Sequence, residues 1–287
     1  MQNSSVVANH YNNRPDVGVK HRQLSPIFHM KNFNNWTKSM LINQFTHPNY
    51  TVLDLCCGKG GDLLKWKQCN ISHLLGLDIA SVSIEQAKKR YNDGRFRFKA
   101  HYKAVDCFSD QLTSACQGWI FDVVSVQFAF HYCFENEAKV RSALQSIANV
   151  LKTGGVYFGT IPNSALIVKK LLALNGDDRK FGNSIYSIEF EQKSSFPIFG
   201  HKYWFRLEDA IDDCPEYLIH FPTLQKIAAE YGLECILHRT FHDYFNDNYE
   251  KGMYLLERMK VFDSAGNISF DEWEASGLYS VFAFRKV

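Results

Sequence analysis

Residues 51–66, TVLDLCCGKGGDLLKW, constrain this chain more than any other stretch. An apolar run ends in an acid, passes through a glycine-rich turn and opens into an amphipathic segment. This is the pattern of a strand feeding a helix through a tight loop, where backbone can approach a ligand closely. Gly58, Gly60 and Gly61 supply the turn, and Asp54 and Asp62 flank it. A phosphate cradle needs bare N–H groups and a lysine followed by Ser or Thr, but Lys59 is followed by Gly60, so the turn is not a P-loop. Acids beside a glycine turn suit a ligand with hydroxyls, an ammonium or a sulfonium.

The stretches around this loop alternate between strand and helix signals. Residues 52–55, 74–79, 121–126 and 156–161 read as short buried strands. Residues 81–91 read as a helix with Ser81 as its cap. A second helix carries Val140, Leu144, Ile147 and Leu151 on one face, with Gly154–Gly155 expected to end it. Repeated β–α units imply an α/β fold with a mostly parallel sheet and helices on both faces. The rhythm breaks after Pro162. Residues 185–207 alternate with period two around Pro197 and Gly200, which predicts a β-rich insertion. A helix over 222–231 and strands after Gly232 and at 279–284 close the chain. The expected organisation is one domain: an N-terminal arm and helix over about 1–45, a core over 46–162, the insertion over 163–215 and a completing part over 216–287.

With 287 residues, 46% hydrophobic and 22% charged, the chain can bury a sizeable core. A net charge of +2 does not mark a protein that coats nucleic acid. Positive residues nevertheless concentrate between Lys59 and Lys99, where a few could converge on one anionic group. No apolar run is long enough to span a bilayer, and the first 14 residues lack a signal-peptide core. The eight cysteines show no CxxC pair and no zinc spacing, so they are expected to be reduced thiols, with no metal bound.

In open α/β sheets, ligands sit beyond the carboxyl ends of the strands. Asp54, Asp78 and Asp106 fall at or near such ends. An acid about 20 residues after the glycine turn is placed to bind a ribose, a role that Asp78 fits, and Asp106 could meet an adenine edge. NAD would need a GxGxxG turn for its pyrophosphate, but Cys56 stands at the first glycine position and Asp62 would repel the phosphates. A methionine ammonium would instead be stabilised by Asp62. S-adenosylmethionine is therefore the favoured ligand.

The motif DLCCGKGGDLLKW, with NFNNWTK (32–38), QFAFHY (127–132), GTIPNS (159–164) and EWEASGLYSVFAFRK (272–286), closely resembles the eukaryotic mRNA cap guanine-N7 methyltransferases. The likeness runs from about Val7 to the C-terminus. It implies a Rossmann-like class I S-adenosylmethionine-dependent fold and methyl transfer to guanine N7 of capped mRNA in the nucleus, alongside other capping or transcription components and away from membranes. For the cofactor it implies Lys38, Cys56, Asp62, Asp78, Asp106, Gln127 and Tyr132. For the cap it implies Asn34, Asn35, Lys59, Lys65, Arg90, His131, Glu216 and Tyr279. Glu216 can accept from N1–H and the exocyclic amine of guanine. Lys59, Lys65 and Arg90 can meet the triphosphate, and Tyr279 or His131 can stack on or bond the base. The plainer alternative for Asn34 and Asn35 is capping of a helix that starts near Trp36. The family usually has glycine at position 56, and a cysteine there is expected to need a negative φ.

Guanine N7 carries an in-plane lone pair and no proton, so attack on a methyl sulfonium needs no general base. Catalysis then rests on alignment, worth roughly 7–11 kcal/mol at the upper end, and on stabilisation of the cationic ring by nearby acids. No proton-transfer residue is expected. The rival readings are a methyltransferase for another RNA or small molecule, a non-catalytic binding subunit, and an NAD enzyme.

Overall fold

The computed structural model describes residues 2–12 and 23–287. Part of the expected N-terminal arm, residues 13–22, lies outside the described residues. The chain begins with helix α1 (Gln2–Asn12) and α2 (Phe28–Phe45). The alternating core follows: β1 (Thr51–Leu55), α3 (Leu63–Gln68), β2 (His73–Asp78), α4 (Ser81–Asp93), β3 (Lys99–Ala104), α5 (Gln111–Ala115), β4 (Phe121–Gln127), a 3-10 turn (Phe130–Glu135), α6 (Glu137–Val150) and β5 (Leu151–Pro162). Helix α7 (Ser164–Leu172) leads into β6 (Lys180–Gly182), β7 (Tyr186–Phe190), β8 (Lys202–Leu207) and β9 (Ile211–Tyr217). The chain closes with α8 (Phe221–Glu230), β10 (Leu233–Thr240), α9 (Phe241–Met259), α10 (Phe270–Ser276) and β11 (Tyr279–Lys286).

Seven strands form the main sheet in the order β10-β11-β5-β4-β1-β2-β3. The pairs among β1 to β5 are parallel, and β11 runs antiparallel to both neighbours. The strand order reverses at β1 and β4, so the loops after these strands open a crevice at their carboxyl ends. Apolar side chains cover both faces, with Val52, Trp66 and Ile84 in one layer and Leu53, Leu144 and Phe282 in the other. Strands buried on both faces read as continuous apolar runs, which is why β1, β2, β4 and β5 stand out in the sequence. The insertion is a separate antiparallel sheet, β6-β7-β8-β9.

Several expectations are corrected. Gly154 and Gly155 do not end α6; the helix stops at Val150, and the glycines lie within β5 where its register with β4 shifts. Ser81 is the first residue of α4 and not its cap, since Ala80 holds the N-cap position with no side-chain bond. Asn34 and Asn35 sit in the middle of α2, which begins at Phe28 and not near Trp36. Glu216 lies on β9, the last strand of the second sheet, which extends to Tyr217 and so past residue 215.

Helix α2 is fixed by its surroundings. Its N-cap residue Ile27 provides no side-chain bond; instead Glu272 of α10 accepts from His29 N–H (2.9 Å) and Met30 N–H (3.1 Å). Trp36 donates to the Gly252 carbonyl of α9 at 3.1 Å, and a Cβ on Gly252 would stand 2.5 Å from the Trp36 ring. Only glycine permits that approach. Among the described residues no helix is long and apolar enough to cross a membrane.

Candidate functional site

A cleft opens at the carboxyl ends of the strands, lined by Cys56, Gly58, Asp78, Asp106, Gln127 and Tyr132 among others. Each comes from the last residue of a strand or from the loop or 3-10 turn that follows one. Asp78 ends β2; its Oδ2 accepts from Gly58 N–H and its Oδ1 from Ala80 N–H, both at 2.8 Å. The carboxylate thereby ties the glycine turn to the start of α4 and still lines the cleft. Burial raises its pKa, against the lowering effect of the two backbone donors. Asp106 accepts from Phe108 N–H at 3.0 Å, which turns the chain after β3. Gln127 ends β4, donates to Ser125 Oγ at 2.9 Å, and keeps a buried Oε1 without a partner among the described residues. That unpaired acceptor at the cleft wall fits a ligand bearing N–H or O–H groups.

Cys56 follows β1 with φ +54°, in the left-handed region, and so departs from the expected negative φ. Its N–H donates to Cys107 Sγ at 3.4 Å, a contact that holds the turn open toward the cleft. A non-glycine residue in this conformation costs about 1–2 kcal/mol. All eight cysteines are free thiols, and burial pushes the Cys57 thiol well up. Among the described residues no group of three or more His, Cys, Asp or Glu could hold a metal ion.

Behind the turn lies an ionic cluster. Asp62 is buried and meets the Lys38 ammonium at 2.8 Å and the Lys65 ammonium at 2.6 Å. Lys65 also donates to Asn35 Oδ1 at 3.0 Å. Burial would raise the Asp62 pKa, but the two ammonium groups outweigh it and hold the acid well below the usual carboxylate range. Asp54, at the same loop, shows the opposite outcome. Burial first, and then the Asp62 charge, push it up to about 8, while Trp66 donates to its Oδ2 at 3.2 Å. Two carboxylates on either side of the glycine turn are thus shifted in opposite directions.

A second, much narrower cavity lies under the β6–β9 sheet, lined by Pro162, Ile167, Tyr203, Glu216, Leu278 and Tyr279 among others. Tyr203 and Glu216 are direct cross-strand partners on β8 and β9. The Tyr203 hydroxyl donates to Glu216 Oε2 at 2.7 Å, and both residues are buried. His131 Nε2 stands 3.5 Å from Glu216 Oε1, and neither ring nitrogen has a hydrogen-bond partner among the described residues. Tyr279 opens β11, with its ring 4.9 Å from Phe128, edge to face.

Phe128 joins the two cavities. It lines the larger cleft and touches Tyr279 of the smaller one. Its φ is +56°, an uncommon conformation for a bulky residue, held by N–H donation to Thr160 Oγ1 at 2.9 Å. Such strain clusters at functional sites. Phe128 and Tyr203 were not among the expected site residues. Phe128 lies inside QFAFHY, but its φ leaves no trace in the sequence; Tyr203 depends on the β8–β9 register.

The structure brings Cys56, Asp78, Asp106, Gln127 and Tyr132 together on one cleft, and Glu216, Tyr279 and His131 around the second cavity. Asn35, Lys38, Asp62 and Lys65 meet in the ionic cluster. Lys65 is buried there, whereas Lys59 is partly exposed and Arg90 is exposed in the last turn of α4. Asn34 lies on the same turn of α2 as Asn35, with a buried Oδ1 that has no partner among the described residues.

A model of the mRNA (guanine-N(7))-methyltransferase domain matches residues 1–287. The chain is similar to proteins named mRNA cap guanine-N(7) methyltransferase. The one from Schizosaccharomyces pombe is 45% identical over 98% of this chain and 82% of its own length. The one from Drosophila melanogaster is 41% identical over 99% of this chain and 77% of its own length. Among solved structures, the CcbJ methyltransferase from Streptomyces caelestis aligns with a TM-score of 0.58 at 13% identity, over 98% of this chain and 96% of that one, a likeness of fold alone.

Proposed function

This chain belongs to the mRNA (guanine-N7)-methyltransferase family and transfers a methyl group from S-adenosylmethionine to guanine N7 of the mRNA cap, and we propose that its two cavities divide that reaction between them. S-adenosylmethionine, when bound, supplies the electrophilic methyl group. The residues of the larger cleft fit it: Gln127 offers a buried unpaired acceptor, and Asp78 and Asp106 line the wall. In this reading Asp62, held by Lys38 and Lys65, receives the ammonium, Asp78 the ribose hydroxyls and Asp106 the adenine edge, with Cys56, Gln127 and Tyr132 completing the pocket.

The smaller cavity takes the guanine. Glu216 accepts from N1–H and the exocyclic amine, a pattern adenine lacks. Tyr279 and His131 bound the ring, and Asn34, Asn35, Lys59, Lys65 and Arg90 serve the ribose and triphosphate side. Lys65 would reach a phosphate only by leaving its ion pair with Asp62. No residue needs to move a proton. The protein's work is to align N7 with the methyl group across Phe128, where misalignment is costly. The observation that carries this reading is the contact of the Glu216–Tyr279 cavity with the donor cleft through Phe128.

We assign one cap methyltransferase domain to the chain, working in the nucleus beside other capping or transcription components. Incubation with labelled S-adenosylmethionine and guanosine-capped RNA, followed by digestion, tests the reading. Label in 7-methylguanosine supports it; label elsewhere, or none, overturns it.

A further inference from the structure

The basic segment between Lys59 and Lys99 exceeds what the cap site uses. Lys88 and Lys89 on α4 are matched by Glu85 at 2.8 Å and Asp93 at 2.5 Å. Lys67, Arg95 and Arg97 are different. All three are exposed, and among the described residues no carboxylate lies within ion-pair distance of them. They also sit close together. The Lys67 ammonium stands 5.7 Å above the Phe96 ring, and Arg95 and Arg97 flank Phe96 in the chain.

The loop that presents the two arginines is held stiffly. Phe96 stacks on Tyr91 with centroids 5.5 Å apart and planes 10° from parallel. Phe98 is buried against both rings, and the Tyr91 hydroxyl donates to the Phe98 carbonyl at 2.6 Å. A Cβ on Gly94 would stand 2.1 Å from the Phe96 ring, so glycine there lets the loop fold back onto α4. Folding Phe96 and Phe98 inward leaves Arg95 and Arg97 outward. The conformational entropy of the loop backbone is thus spent in folding and not in binding.

The patch has a defined neighbour. Arg90 immediately precedes Tyr91, the ring on which Phe96 stacks, so the loop that carries Arg95 and Arg97 is packed onto the turn of α4 that carries a cation assigned to the cap triphosphate. We propose that Lys67, Arg95 and Arg97 form a phosphodiester-binding surface for the transcript body just beyond the cap, gripping the RNA backbone without reading its sequence. Unpaired cations on a stiff support are what such backbone contact requires, and each phosphate neutralised releases a counterion. This inference rests on the capped-RNA reading above.

The test compares the wild-type protein with the triple variant Lys67→Gln, Arg95→Gln, Arg97→Gln on two substrates: the guanosine-capped dinucleotide and a short unstructured capped RNA. Binding of the capped RNA is also measured against salt concentration. The proposal expects unchanged kcat/KM on the dinucleotide, a several-fold loss on the capped RNA, and a fall of about 2 in the slope of log affinity against log salt, from three single-strand contacts. Equal loss on both substrates, or capped-RNA affinity and salt slope equal to wild type, overturns it; in the latter case the patch is left for an acidic polypeptide. Failure of the wild type to methylate either substrate would count against the function itself, while the salt titration still decides the fate of this surface.

Discussion

Asp62 and Glu216 are both buried carboxylates, one beside each cavity, but their partners differ. Asp62 lies between two ammonium groups at 2.6 and 2.8 Å, whereas Glu216 takes one bond from a neutral phenol and has His131 at 3.5 Å. Asp62 is therefore as much a structural post as a ligand group, because it ties α2 to the turn before α3. Glu216 has one oxygen fixed by Tyr203 and the other directed to a site where a base edge can compete. The ionic cluster behind the glycine turn is held by charge pairing; Glu216 at the smaller cavity is held by one oriented hydrogen bond.

Substitutions should break these two regions differently. Asp62→Ala removes the carboxylate between the Lys38 and Lys65 ammonium groups, which costs about 3–5 kcal/mol. A Tm lower by on the order of 10 °C in a thermal melt is expected, with cofactor affinity lost alongside. Glu216→Ala leaves the buried Tyr203 hydroxyl without its acceptor, about 1–3 kcal/mol, so it should lower Tm by less than Asp62→Ala while reducing kcat/KM for the cap by about 1.5–3 kcal/mol, measured in steady-state assays.

The next effect concerns pH. The Asp62 pKa is depressed, so its stabilisation is present above the ordinary carboxylate pKa and is lost only in strong acid. Asp54 has the opposite sign. With its pKa raised from 3.8 to about 8, the folded state keeps a proton that the unfolded state has released. Stability should therefore fall as pH rises from about 4 to about 8, by at most about 1.4 kcal/mol per pH unit. Asp54→Asn keeps an acceptor for Trp66 and should flatten that slope in denaturant titrations across this range.

Tyr203→Phe removes only the orienting bond to Glu216. It should raise KM for the cap by about 1 kcal/mol, with kcat retained at saturation, the split expected of a positioning residue. The smallest change is Cys56→Gly. Relief of the left-handed cysteine, partly offset by greater freedom of the unfolded chain, should shift stability by less than about 1 kcal/mol. Unchanged cofactor affinity in the glycine variant would show that the turn serves equally well with either residue.

Much of this was legible in the sequence because burial on both faces makes a strand conspicuous. β1, β2, β4 and β5 are apolar runs, and the glycine turn announces the first crossover. β3, KAHYKA, is an edge strand with only Tyr102 buried, so it looks like a charged loop. Helix α9 packs a narrow apolar stripe against α2 and exposes acids elsewhere. Within the sites, Lys65 and Asp62 are three apart on one helix turn and so can be paired by spacing. Lys38, 24 residues away, and the Tyr203–Glu216 bond, set by strand register, are visible only after folding.

The separation of the two cavities is tested most directly by titrating Glu216→Ala with S-adenosylmethionine and, separately, with a guanosine cap dinucleotide. The account predicts wild-type affinity for S-adenosylmethionine together with cap binding weakened roughly 10- to 150-fold. Loss of S-adenosylmethionine affinity, or cap binding equal to wild type, would contradict it.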